Sequence, residues 1–146
     1  MKINAHIVVA DAAAASEWYA RAFGAREQNR VPLPDGRVMT LEIVIGESIV
    51  HVASELPAAG IVSPKTLGGT ATVLQIQNDD ARSLWDRALA AGATVRHELA
   101  EQFWGELHGQ ITDPFGHRWN LAQSLRTVPP EQIAAAAAAL FSGGKP

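Results

Sequence analysis

The stretch TATVLQIQNDDARSLWDRALAAGA, residues 70–93, decides how the rest of the chain is read. An alternating, β-branched run closes on Asp79-Asp80, a helical apolar period follows, and the period stops at Gly92. Each step has a physical reason. A carboxylate accepts from the free N–H groups of a first helical turn, and glycine readily takes the left-handed conformation that ends a helix. Residues 3–25, INAHIVVADAAAASEWYARAFGA, show the same unit, with Asp11 in the capping place and Gly24 at the stop. Overlaying Asp11 on Asp79 sets AFGA (22–25) on AAGA (90–93) at one offset of 68 residues, which points to an internal repeat.

Both halves continue into strands. RVMTLEIVI (37–45), a Gly46-Glu47 turn and SIVHVAS (48–54) predict a hairpin, because glycine at the first central position suits a type II′ turn. GELHGQIT (105–112), the reversal Asp-Pro-Phe-Gly and HRWNLAQ (117–123) predict another. A further strand is expected near 26–31 and near 93–99. The expected fold is therefore α+β, with two βαβββ modules and a C-terminal helix. Module 1 spans about 1–55, a linker rich in proline and glycine 56–69, and module 2 about 70–125. Residues 1–125 make a single domain. The tail, 126–146, carries six consecutive alanines and only Ile133, Leu140 and Phe141 as sizeable apolar groups. It predicts a helix stopped at Gly143 that docks on the body or on a partner chain.

Composition excludes several classes. A net charge of −3 with dispersed basic residues gives no footprint for nucleic acid. No apolar run approaches the length of a membrane span, and MKINAHIVV turns polar too soon for a secretion signal. Without cysteine there is neither a disulfide framework nor a thiol nucleophile. A cytoplasmic location is the expectation. P-loop, GxGxxG, GxSxG and HExxH patterns are all missing.

With EWYARAFGA, DGRVM, IGESIV, EQFWGELHG and DPFGHRWNLA at these intervals, the chain resembles the vicinal oxygen chelate superfamily, in particular its PhnB-like, glyoxalase/bleomycin-resistance-type branch. The resemblance covers residues 3–125. It implies mixed sheets curled around a shared cavity, usually completed in a homodimer, and it implies the fold more firmly than a reaction. Relatives that use a metal typically hold it with two His and two Glu, one from the first and one from the last strand of each module. Carried over, and with the offset of 68, those positions are Asn4, His51, Thr72 and Asn120. Amide and hydroxyl oxygens are weak donors for first-row metals, so this set argues against the family's usual site.

Strand alternation and the Gly46-Glu47 turn nominate another set. His6 shares a face with Asn4, and the turn pairs Glu42 with His51. His6, Glu42 and His51 are candidates for a non-standard site for a divalent metal, the one cofactor the sequence suggests; alternatively Glu42 fixes the tautomer of His51. Arg118 alternates to the same side as Asn120, where it would attract an anionic group. Trp104 is expected as a lid or stacking surface, and Trp18, Trp85, Trp119 and Leu121 as core. Glu106 and His108 share a face and could do acid–base work, whereas His97 and His117 receive no role. The expectation is a small-molecule-binding protein using Asn4, His6, Glu42, His51, Thr72, Trp104, Arg118 and Asn120. The alternative is a metal-dependent lyase, isomerase or dioxygenase-like enzyme.

Overall fold

The computed structural model describes residues 1–143; residues 144–146 of the expected tail lie outside the described residues. Two βαβββ modules follow one another. The first contains β1 (Ala5–Val9), α1 (Ala12–Phe23), β2 (Arg26–Pro32), β3 (Val38–Ile45) and β4 (Ser48–Ser54). A linker with a short helix α2 (Pro64–Leu67) leads to β5 (Val73–Gln77), α3 (Ala81–Ala90), β6 (Thr94–Glu101), β7 (Glu106–Thr112) and β8 (Arg118–Ser124). A C-terminal helix α4 (Pro130–Phe141) closes the described chain. The strands form two four-stranded mixed sheets, β1-β4-β3-β2 and β5-β8-β7-β6, which do not close on one another.

The first hairpin takes the expected register, with Ile45 opposite Ser48 and Glu42 opposite His51. Gly46 has φ 57°, the left-handed value required at the first turn position, and Glu47 does not share it. The repeat needs one correction. Asp80, not Asp79, caps α3 and accepts from the Ser83 N–H, so the N-caps stand 69 residues apart. The parallel strand pairs keep that spacing: the Ala12 N–H donates to Ser54 and the Ala81 N–H to Gln123, and β1 pairs His6 with His51 as β5 pairs Gln75 with Asn120. The helix-terminal glycines, Gly24 and Gly92, stand 68 apart, and so do the antiparallel strands that follow: Glu42 is opposite His51 and Gln110 opposite Asn120, so Gln110 stands 68 residues after Glu42. A shift of one residue exchanges the two faces of a strand. Thr72 is therefore not the counterpart of a first-module site residue; Gln75 is the counterpart of His6.

Both sheets turn their apolar faces to the helices, and one core runs through both modules. Trp18, Trp85 and Trp119 are buried as expected, and so is Leu121. The Phe23 and Tyr19 rings of α1 lie 5.0 and 5.6 Å from the Trp119 ring of β8. Polar bonds reinforce this junction. Buried Asp113 accepts from the Tyr19 hydroxyl at 2.5 Å, the Trp119 indole at 2.9 Å, and the backbone N–H groups of Phe115 and His117. Trp18 donates to the Ala91 carbonyl at 2.6 Å. His117 Nε2 lies 2.7 Å from the Val8 carbonyl oxygen, so a residue given no role from sequence ties the β7–β8 loop to β1.

The C-terminal segment folds back on the loop before β7. The N–H groups of Leu125 and Arg126 both donate to the Gly105 carbonyl. Gly105 has φ 96°, and a Cβ there would stand 2.3 Å from the Arg126 carbonyl oxygen. Beyond this segment, α4 buries none of its residues, and Leu140 and Phe141 are 64% and 72% exposed. Within a single chain α4 is not buried against the body among the described residues.

Candidate functional site

With the apolar faces spent on the core, each sheet offers a polar face. In the first sheet that face carries His6, Glu42 and His51. Glu42 Oε1 lies 3.6 Å from His51 Nδ1, and the His6 and His51 ring centroids are 6.1 Å apart. A bulge in β2 serves Glu42: Asn29 takes φ 53°, and Gln28 and Asn29 both donate to Glu42 Oε2 at 2.8 Å. These bonds, with the nearby His51, hold the Glu42 carboxyl below its ordinary pKa. The carboxylate is thus committed to two amides and a histidine.

On the second sheet the polar face is a hydrogen-bonded row. Arg118 donates to Gln110 Oε1 through Nε at 3.1 Å and Nη2 at 2.9 Å. Gln110 donates to Asn120 at 2.8 Å, Asn120 to Gln75 at 3.4 Å, and Gln75 to Gln77 at 3.2 Å. Gln77 donates to Glu106 at 2.9 Å, and the Trp104 indole N–H meets the other oxygen of Glu106 at 2.7 Å. An arginine can only donate and a carboxylate only accept, so the two ends fix the orientation of every amide between them. Each bond polarises the next in the same sense. Gln77 also donates to the Ser124 hydroxyl at 3.1 Å, so the row leaves one N–H on each of Gln110, Asn120 and Gln75 free to meet a ligand.

Asn120 accordingly faces Gln110 and Gln75, not His51. Asn4 and Thr72 precede β1 and β5 and are exposed. Trp104 stands at the far end, its ring 5.4 Å from that of His108, edge to face. Burial pushes the His108 imidazole below its ordinary pKa, Glu106 opposes that shift and His97 adds to it. Gln75, Gln77 and Gln110 were not identified from sequence. Alternation along β5 would have found Gln75 and Gln77 once the spacing of 69 replaced 68, whereas Gln110 stands 68 residues after Glu42 and directly opposite Asn120.

Paired βαβββ modules carrying their chemistry on the polar faces of two mixed sheets define the vicinal-oxygen-chelate class of fold. The sequence model of the Glyoxalase/Bleomycin resistance protein/Dioxygenase superfamily matches residues 3–121, and the chain belongs to that superfamily. An uncharacterised protein of Mycobacterium bovis is 39% identical over 137 residues, covering 92% of this chain and 90% of the relative. TioX from a Micromonospora species superposes with a TM-score of 0.69 at 24% identity, covering 86% of this chain and 99% of that one. The fosfomycin resistance protein FosX from Listeria monocytogenes, solved with Mn(II) and sulfate, gives 0.67 at 12% identity over 94% and 97% of the two chains. At these identities the two structures share a fold with this chain and nothing finer.

The residues present decide whether the superfamily's metal can be held here. The register pairs His6 with His51 between β1 and β4, and Gln75 with Asn120 between β5 and β8. Two imidazoles with two neutral amides do not make the His/Glu set, and amide oxygens hold first-row divalent metals weakly. Among the described residues no three His, Asp or Glu side chains converge to hold a metal ion. The residues do not fit the group.

Proposed function

We propose that this chain binds a small, flat organic molecule along the amide row, that two copies complete the site, and that no catalytic metal takes part. The observation that carries this reading is the row itself, a chain of oriented amides on an open sheet face with an indole at one end. Such rows are costly to bury dry and useful where a ligand must be oriented. In one chain the polar bonds of each sheet face stay within that face, so both faces are half-sites. A second copy would set His6, Glu42 and His51 across from Asn120, Arg118 and Trp104, and would cover the apolar end of α4. The PhnB-like branch of the superfamily is the relationship this reading favours.

Fluorescence tests it directly. Trp18, Trp85 and Trp119 are buried, so quenching by added planar molecules reports Trp104. Binding should be saturable in the native chain and abolished by Asn120→Leu. Binding unchanged by that substitution would sink the proposal. The approach of Glu42 to His51 favours a second reading, a metal-dependent lyase, isomerase or dioxygenase-like enzyme on His6, Glu42 and His51. Stoichiometric metal in purified protein, lost on His51→Ala, would establish that reading in place of the first.

A further inference from the structure

The amide row ends at Arg118, and there the surface opens into a cavity of about 650 Å³ between α2 with the loop that follows it, the first residues of β6 and the β7–β8 turn. Its wall contains Lys65, Arg96 and Arg118 and no acidic side chain. None of the three is in an ion pair among the described residues, although the chain as a whole carries a net charge of −3. Arg118 is held in place by Gln110 and by the Thr70 carbonyl at 3.4 Å. Those bonds leave one N–H on each terminal nitrogen, the two donors that form a fork toward an oxyanion. Thr112 is the cross-strand neighbour of Arg118 and also lines the cavity. Its hydroxyl oxygen is buried and has no hydrogen-bond partner, an omission that folded proteins rarely leave uncorrected. Lys65 is delivered by close packing: a Cβ on Gly116 would stand 3.0 Å from the Pro64 Cβ, so the β7–β8 turn lies directly against α2.

We infer that this cavity is an oxyanion subsite, taking the carboxylate, phosphate or phosphonate group of the molecule that lies along the amide row; the inference rests on the ligand site proposed above. A fork on a fixed arginine, two further cations and an unpartnered hydroxyl supply directional donors and charge with no carboxylate competing for them. The opposite end of the row is occupied by Glu106 and repels the same group. The ligand's orientation follows, with its anionic end at Arg118 and its flat part toward Trp104.

The experiment titrates the full chain with inorganic phosphate at constant ionic strength, followed by ³¹P line width, and repeats the titration with phenylphosphonate. Phosphate should bind at one saturable site. Arg118→Gln should weaken it about tenfold or more, the loss expected for one charge-assisted fork. Arg118→Lys, keeping the charge without the fork, should fall between. Lys65→Gln with Arg96→Gln, at exposed positions whose replacement leaves packing intact, should weaken binding several-fold, and Arg37→Gln on the first module should not change it. Absence of saturable binding, or native affinity in the Lys65/Arg96 double variant, overturns the inference. Phenylphosphonate should bind more tightly than phosphate and quench Trp104. Cation-dependent phosphate binding without that gain would leave the oxyanion site standing and sink the row as a ligand site. Saturable, Asn120-dependent binding of neutral planar molecules with no preference for anions would do the reverse.

Discussion

Replacing Asp113 by alanine removes the acceptor that joins α1 of the first module to β8 of the second. In the native chain its carboxylate receives the Tyr19 hydroxyl, the Trp119 indole N–H and two backbone N–H groups. The two backbone donors lie in a turn and can turn to water. Tyr19 and Trp119 are buried and cannot. An orphaned buried donor costs about 1–3 kcal/mol, so the pair costs about 4 kcal/mol. In a domain of this size that corresponds to a melting temperature lower by about 12 °C. Tyr19→Phe removes one charge-assisted bond and leaves Asp113 three donors, so it should cost only about 1.5 kcal/mol. Because the two changes share a bond, the double variant should lose less than their sum by about 1–2 kcal/mol. Urea denaturation of the four proteins measures the cycle. Asp113→Ala within about 1 kcal/mol of the native chain, or strict additivity, would refute the claim that this carboxylate joins the modules.

Further outcomes follow from the same structure. Tyr19 is the single tyrosine, and burial, with the charge of Asp113 behind it, pushes its hydroxyl well above the usual pKa of about 10. Absorbance near 295 nm should therefore show no tyrosinate while the chain stays folded, and stability should fall as pH rises past about 10, where the unfolded tyrosine ionises first. His108 has the opposite dependence. Its depressed pKa means the unfolded chain takes up the proton first, so stability should decline as pH falls below about 6.5 and level off once the folded imidazole is charged. Comparing melting curves of the native chain and His108→Gln across pH 5–8 checks this, and an unchanged slope in the variant would refute it. A Cβ on Gly109 would stand 2.6 Å from the Trp85 ring and 2.9 Å from the Leu99 Cα, so Gly109→Ala should cost about 1–3 kcal/mol in denaturant, with intrinsic tryptophan emission shifted.

The two-residue turn at Gly46-Glu47 makes the first polar face legible in the sequence, because a fixed turn sets every pairing behind it and places Glu42 opposite His51. The second face was misread by one residue. Asp79 and Asp80 are equally good caps in sequence; choosing the first, and starting from Asn4 instead of His6, placed the partner at Thr72 instead of Gln75. Glutamines gave no further signal, since an amide in a strand looks the same whether it faces solvent or a row of its own kind. The junction was illegible for a different reason. Tyr19 meets Asp113 across 94 residues and His117 meets Val8 across 109, distances at which local pattern carries no information.

The five-residue loop that holds Asp113 also bears on the symmetry of the molecule. The first module turns between β3 and β4 on two residues, whereas the second spends residues 113–117 between β7 and β8 and places its buried carboxylate there. Nothing in the first module occupies the place of Asp113. Its tyrosine donor sits on the other side of the divide, with Tyr19 on α1 and alanine at the corresponding position, Ala88, on α3. The two modules have become a lock and a key. Two copies of the first would bring together tyrosines with no acceptor, and two copies of the second a carboxylate without its tyrosine. The duplication persists in the backbone, but the halves are no longer interchangeable.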